Sequence, residues 1–268
     1  MDQRIQERPR SDARASLRGP VALLLGRVVL VAAASVLVWA ALAAVGAATT
    51  FPPVPMLGAL AMLPVNIVCL LWVRRLVHAE GRRLRDLIGF SAARLGRDFL
   101  WGLLWVAVLF VPFVLAIMGV MALRHGDAMF DAFETVFFDP ASVLQLAPAV
   151  TAVLALVAVL TFAPLNAPAE ELVYRGYGQQ GLARRMPVPV AIVVSAVLFG
   201  LQHVFYAPTT DAVLVYVVAF FAWGVGAGII AYRQGRLLPI IIAHFLVNLF
   251  TSAPALVFAF GPASMGAS

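Results

Sequence analysis

Six stretches of this chain carry no Asp, Glu, Lys or Arg: residues 28–73, 99–123, 140–169, 186–210, 212–232 and 237–268. A helix needs about 20 apolar residues to cross a hydrocarbon core ~30 Å thick. Only helices and closed barrels satisfy their backbone hydrogen bonds in lipid. The runs show no period-2 alternation, which argues for helices rather than barrel strands. The first run is 46 residues long and is interrupted by Thr49-Thr50-Phe51-Pro52-Pro53-Val54-Pro55, a proline turn between two spans. Seven crossings follow, and the expected fold is an all-α, polytopic transmembrane helical bundle with interfacial helices.

Composition agrees. The chain is 63% hydrophobic and 12% charged, with a mean hydropathy of +0.96, whereas a soluble domain is about a quarter charged. The formal charge of +6 comes from arginines lying between apolar runs, so it makes no continuous basic face and no nucleic-acid partner is expected. Cys69 stands alone, so no internal disulfide forms. Residues 1–27 carry six Arg and residues 74–98 carry seven, against a single Arg at 124–139. The positive-inside rule then places the N-terminus in the cytoplasm and the C-terminus outside, in a plasma or inner membrane. The first apolar run is too long for a cleaved signal core, so it is expected to be retained. This divides the chain into a cytoplasmic basic segment (1–27), accessory spans and connectors (28–139), a catalytic transmembrane core (140–260) and a tail (261–268). Leu84, Leu87 and Ile88 on the inner side, and Phe130, Phe133 and Phe137 on the outer side, have the spacing of short interfacial helices.

Polar groups inside apolar helices are costly and point to function. They are Glu170, Glu171 and Arg175 in Ala167-Pro168-Ala169-Glu170-Glu171-Leu172-Val173-Tyr174-Arg175-Gly176, then His203, His244 and Asn248. His78 and His125 fall in charged connectors and are expected to be solvated. Glu171 and Arg175 are i,i+4 in the favourable order and can neutralise each other. Glu170 points about 100° away and is left free. His244 and Asn248 share one helix face. The Asn166–Pro168 region should kink the fourth span. Tyr174, Tyr177 and Trp223 read as packing residues, and Gly224, Gly226 and Gly228 as points of close helix approach. Counting 1.5 Å per residue from the Arg184–Pro187 turn puts Glu170 and His203 level, roughly 24 Å away. His244 is about 12 Å above its own turn. For all three to meet, the 184–187 hairpin must project further than the last turn. Each residue alone reads as ordinary interhelical packing, but together they suggest one cluster facing the cytoplasm, beneath the inner headgroups.

The order Glu170-Glu171-xxx-Arg175, Phe199-xxx-His203, His244-xxx-Asn248, each motif on its own helix, resembles the CPBP family of intramembrane proteases. That family includes the CAAX prenyl endopeptidases and relatives linked to bacteriocin processing and immunity (Abi-type). The resemblance covers about residues 165–249 and implies roles for these positions. Glu170 would activate water, Glu171 and Arg175 would support it, His203 and His244 would be the active-site histidines, and Asn248 would take the family's Asn/Asp position. The substrate would be a membrane-embedded or lipidated protein or peptide at the bilayer. Two chemical routes stay open. In one, His203, His244 and Glu170 or Asn248 bind zinc, which brings bound water to a pKa near 7. In the other, a histidine and the Asn248 amide hold the oxyanion without metal. The competing classes are a non-catalytic scaffold or bacteriocin-immunity protein that uses the polar cluster for packing, and a transporter or proton relay.

Overall fold

The computed structural model describes residues 16–47, 51–53, 55–140, 146–253 and 256. Among them every regular element is helical, as expected of a polytopic all-α bundle. The long helices are α1 (Arg18–Ala44), α2 (Pro55–Ala79), α4 (Leu95–His125), α6 (Pro148–Glu171), α8 (Val188–Gln202) and α9 (Ala212–Gln234). With short helical extensions at some ends, all six are long and apolar enough to cross a membrane. The last apolar run supplies α10 (Leu238–Ser252), 15 residues in all. At 1.5 Å per residue it is only about 22 Å long, less than the hydrocarbon thickness. The chain is a multi-pass membrane protein. The tail at 261–268 lies outside the described residues, as does residue 1–15 of the basic segment.

The helices close a ring. α1 packs on α2, α2 on α6, α6 on α10, α10 on α4, α4 on α9, α9 on α8, and α8 returns to α1. Small residues permit the approaches. A Cβ on Gly226 would fall 2.5 Å from Leu109, and one on Gly228 would fall 2.6 Å from Gln179. The expected close-approach role of these glycines therefore has direct steric content. α6 runs through Pro164 and Pro168 as one helix, and the change of winding comes later than the expected kink. At Leu172–Gln179 the backbone passes into a π-helix, with all eight residues buried, before resuming as α7 (Gln180–Ala183). This π segment leaves the α6 position in the ring and packs against α1, α2, α8 and α9. It fills the interior at the end of the bundle where the arginine-rich connectors lie.

Side-chain contacts tie that end together. Leu237 N–H donates to the Ile88 carbonyl at 3.0 Å, and Arg236 pairs with Asp98. The Tyr177 hydroxyl donates to Glu80 at 2.7 Å, beside Arg184. Tyr177 thus does more than pack. Partial burial pushes the Glu80 carboxyl up, but Tyr177, Arg184 and Arg82 outweigh it and hold it below the usual carboxylate range. Helix α3 (Leu84–Ile88) presses Leu87 into the core against the π segment. At the opposite end, Arg124 pairs with Asp211 at 2.7 Å, and helix α5 (Ala132–Phe137) buries Val136 beside Ala207 and Ala212. His78 is exposed, as expected, but His125 is half-buried rather than solvated.

Candidate active site

Arg27 fixes the centre of the site, and it is the residue that the sequence reading most misplaced. The boundary at residue 27 between a cytoplasmic segment and the spans cuts through α1, which begins at Arg18. The Arg27 side chain is fully buried and its Nη2 lies 2.8 Å from Glu170 Oε1. Glu170 is therefore not the free carboxylate expected. The guanidinium also donates to Asn66 and Asn166 Oδ1 at 3.1 Å and to Gln202 Oε1 at 3.2 Å. Gln202 in turn donates to Glu170 Oε1 at 2.8 Å and accepts from the Tyr174 hydroxyl at 2.8 Å, so Tyr174 belongs to the polar network. A buried arginine persists only where carboxylates and amides satisfy its donors, and here α2 contributes one partner, α6 two and α8 one.

The second carboxylate behaves as its spacing suggests. Arg175 Nη1 donates to Glu171 Oε1 at 3.1 Å, the i,i+4 pair. The same oxygen lies 2.8 Å from His244 Nδ1. An N–H donated from Nδ1 to this anion fixes the tautomer and leaves the Nε2 lone pair facing inward, where Nε2 is 3.5 Å from Glu170 Oε2. The Arg175 guanidinium also stacks 4.1 Å over the Phe199 ring, a cation–π contact that holds the pair in place. Arg175→Ala would strand Glu171 in the core. A loss of about 3 kcal/mol or more is expected, readable as a lowered melting temperature and yield of detergent-solubilised protein.

His203 is oriented separately. Its Nδ1 lies 2.7 Å from the Phe199 carbonyl, and its ring stacks on Phe220 at 3.5 Å between centroids. Its Nε2 is therefore the free ring nitrogen. Because the neighbouring Gln202 bonds Glu170, His203 and Glu170 sit level, as the hairpin arithmetic requires. Contact between Glu171 and His244 likewise agrees with a 184–187 hairpin that reaches further than the 235–237 turn.

Glu170, His203, His244 and Asn248 all line one cavity of about 450 Å³. Phe110, Phe113, Phe162 and Phe220 supply much of its apolar wall. Four buried polar atoms of its lining residues have no hydrogen-bond partner: Glu170 Oε2, Asn248 Nδ2, Trp223 Nε1 and the Tyr206 hydroxyl. Trp223, read from the sequence as packing, is thus a candidate donor. The cavity runs from the cluster towards the end of the bundle away from the arginine-rich connectors, not towards those connectors as expected.

The zinc ligands expected from the sequence are His203, His244 and Glu170. His203 Nε2, His244 Nε2 and Glu170 Oε2 each remain available, but among the described residues no group of three or more His, Cys, Asp or Glu side chains is arranged to hold a metal ion. Arg27 and Gln202 also occupy the other oxygen of Glu170.

Arg27, Asn66, Asn166 and Gln202 all escaped the sequence reading as site residues. Each is a polar side chain within a spanning helix, the same signal that singled out His203 and Asn248, but none belongs to a spaced motif.

Acidic, basic and imidazole side chains enclosed within a ring of apolar spanning helices, around a cavity with donors and acceptors that lack hydrogen-bond partners, form the candidate site. Residues 149–250 match the family model described as Type II CAAX prenyl endopeptidase Rce1-like. Among curated proteins and solved structures nothing matches the chain.

Proposed function

We propose that this protein is an intramembrane endopeptidase that hydrolyses a peptide bond of a membrane-associated or lipidated protein, with Glu170 as the general base. The supporting observation is the division of labour within one carboxylate. Glu170 Oε1 accepts from Arg27 and Gln202, while Oε2 makes no hydrogen bond, with His244 Nε2 3.5 Å away, and the residue lines the cavity. A carboxylate held by one oxygen and free at the other is placed to take a proton from a water molecule.

Attack of that water on the scissile carbonyl carbon puts its proton on Glu170 Oε2 and negative charge on the former carbonyl oxygen. The Asn248 amide, and with it the Trp223 indole, are the N–H donors suited to that oxyanion. His244 Nε2, positioned through Glu171, accepts a hydrogen bond from the water and so orients it. His203 Nε2 faces the same space and completes the acceptor set. As the C–N bond breaks, Glu170 returns its proton to the leaving nitrogen, which completes the hydrolysis. Glu171 and Arg175 act through His244 and are positioning residues.

The test is a comparison of peptide ends in membrane fractions from cells making the wild-type protein or Glu170→Gln at equal levels. New ends that appear only with the wild type support a protease. Identical sets of ends would defeat the proposal and favour the scaffold reading. Zinc binding, with His203, His244 and Glu170 as ligands, is tested on the purified protein. The route without metal predicts full cleavage after chelation, in a sample whose metal content by elemental analysis is far below one ion per chain. Cleavage lost on chelation and restored by zinc would instead establish the metal route.

A further inference from the structure

The hydrolysis above leaves one buried polar group of the cavity without a task, the hydroxyl of Tyr206. This residue closes the 3₁₀ turn His203–Tyr206 that follows α8. Its ring lies 5.4 Å from the His203 ring, it lines the cavity, and Glu170 and Arg27 are its charged neighbours. The hydroxyl oxygen is buried and makes no hydrogen bond. Tyr174, by contrast, donates to Gln202 at 2.8 Å. A buried hydroxyl without a partner costs stability. Packing does not account for it, because a phenylalanine would fill the same space without that cost.

Counting along the helices places Tyr206 among similar groups. α6 runs towards the arginine-rich connectors, whereas α8 and α10 run away from them. Asn166 precedes Glu170 by four residues, Asn248 follows His244 by four, and Tyr206 follows His203 by three. At 1.5 Å per α-helical residue and ~2 Å per 3₁₀ residue, each is displaced by roughly 6 Å in the same direction from its ionisable neighbour. Glu170, His203 and His244 thus make one layer, and Asn166, Tyr206 and Asn248 a second, neutral one. Asn166 Oδ1 accepts from Arg27 at 3.1 Å, which leaves its NH₂ to serve the cavity that Asn166 lines. Asn248 leans back along α10 towards His244, since helical side chains tilt towards the helix N-terminus, and so stays with the reacting carbonyl.

We infer that the Tyr206 hydroxyl, with the Asn166 amide at the same level, forms a subsite for the substrate's main chain and donates to a peptide carbonyl near the scissile bond. An extended chain advances ~3.3–3.6 Å per residue, so a displacement of ~6 Å corresponds to about two residues. The neighbouring walls are Phe110, Phe113, Phe162 and Phe220, whose side chains donate no hydrogen bond. A segment that unwinds for cleavage exposes carbonyls that no helix satisfies, and each one left unpaired in an apolar cavity is costly. A donor without a partner in the resting protein is suited to take one. The subsite rests on the hydrolytic reading above, and it grips the main chain rather than particular side chains.

The test is Tyr206→Phe, which removes the hydroxyl alone. Kinetics are measured on the cleaved peptide found by the comparison of ends. Binding of the same peptide is measured in Glu170→Gln with and without Tyr206→Phe, and melting is followed in detergent. The expected result is a KM raised about tenfold with kcat within about twofold of the wild type, the loss of one hydrogen bond made equally in the ground and transition states. Peptide binding to Glu170→Gln should weaken by the same factor, and Tyr206→Phe should melt at or above the wild type. Unchanged KM and binding would overturn the subsite. So would a lowered melting temperature, which would reveal a partner for the hydroxyl in the resting protein. A fall in kcat at constant KM would overturn it too, by moving the hydroxyl onto the reacting atoms. Peptide ends that match between wild type and Glu170→Gln sink the hydrolytic reading, whereas hydrolysis with unaltered KM in Tyr206→Phe sinks the subsite alone.

Discussion

Purified Glu170→Gln should still insert and fold, with a lowered melting temperature because buried Arg27 loses its counter-charge, and should lose cleavage by about 10²–10⁴-fold, the range that a positioned general base supplies. The amide keeps the size of the carboxylate, and its oxygen can still accept from Arg27 and Gln202, which now bond Oε1 at 2.8 Å. What it removes is the proton acceptor at the cavity, because the NH₂ group that replaces Oε2 can only donate. Turnover is measured on a membrane peptide found by the comparison of new ends, and folding by thermal unfolding in detergent. Retained turnover in well-folded Glu170→Gln would remove Glu170 from the chemistry. The companion variant Glu171→Gln separates the two carboxylates. Glu171 bonds Arg175 and His244 but is not among the cavity-lining residues, so Glu171→Gln should also lower stability but reduce turnover less than Glu170→Gln does.

How well the sequence foretold these relationships depends on whether the physics was local. The i,i+4 pairing of Glu171 with Arg175 follows from helix geometry, and it survives even though a π segment begins between the two residues. The level placement of Glu170 and His203 follows from counting outward from one turn. The seven apolar helices follow from uncharged runs long enough to demand burial in lipid. The partner of Glu170 did not follow, because Arg27 is 143 positions away and its position near the start of an apolar run looks like that of a cytoplasmic flanking charge. The π segment was equally silent. Its sequence, Leu172-Val173-Tyr174-Arg175-Gly176-Tyr177-Gly178-Gln179, has a plausible α-helical reading, and the different winding belongs to its packing against four neighbours. The cavity's direction depends on which end of the ring that segment plugs, and no periodicity carries this information.

Arg27 is therefore where the structure makes its strongest claim beyond the motifs. Replacing Arg27 by Met keeps much of its volume but removes the charge that neutralises Glu170, leaving a carboxylate in an apolar interior. Breaking a buried pair from one side costs about 3–5 kcal/mol, a large part of the ~5–15 kcal/mol by which a typical domain is stable. Asn66, Asn166 and Gln202 would each lose a donor as well, and buried acceptors without partners add to the cost. The expected result is a protein recovered in low yield, with a clearly depressed melting temperature and no measurable turnover. The double variant Arg27→Met/Glu170→Gln separates the two consequences. With no unpaired charge left, it should regain much of the lost stability while remaining inactive. A coupling energy of roughly 1–3 kcal/mol between the two positions is expected from the double-mutant cycle. Purely additive losses would mean that the pair at 2.8 Å does not exist in the folded protein, and with it would go the account of how Glu170 keeps one oxygen anchored and the other free. Arg27→Lys sharpens the point. An ammonium retains the charge but cannot reach Glu170, Asn66, Asn166 and Gln202 together as the planar guanidinium does, so stability should fall less than in Arg27→Met while turnover still drops.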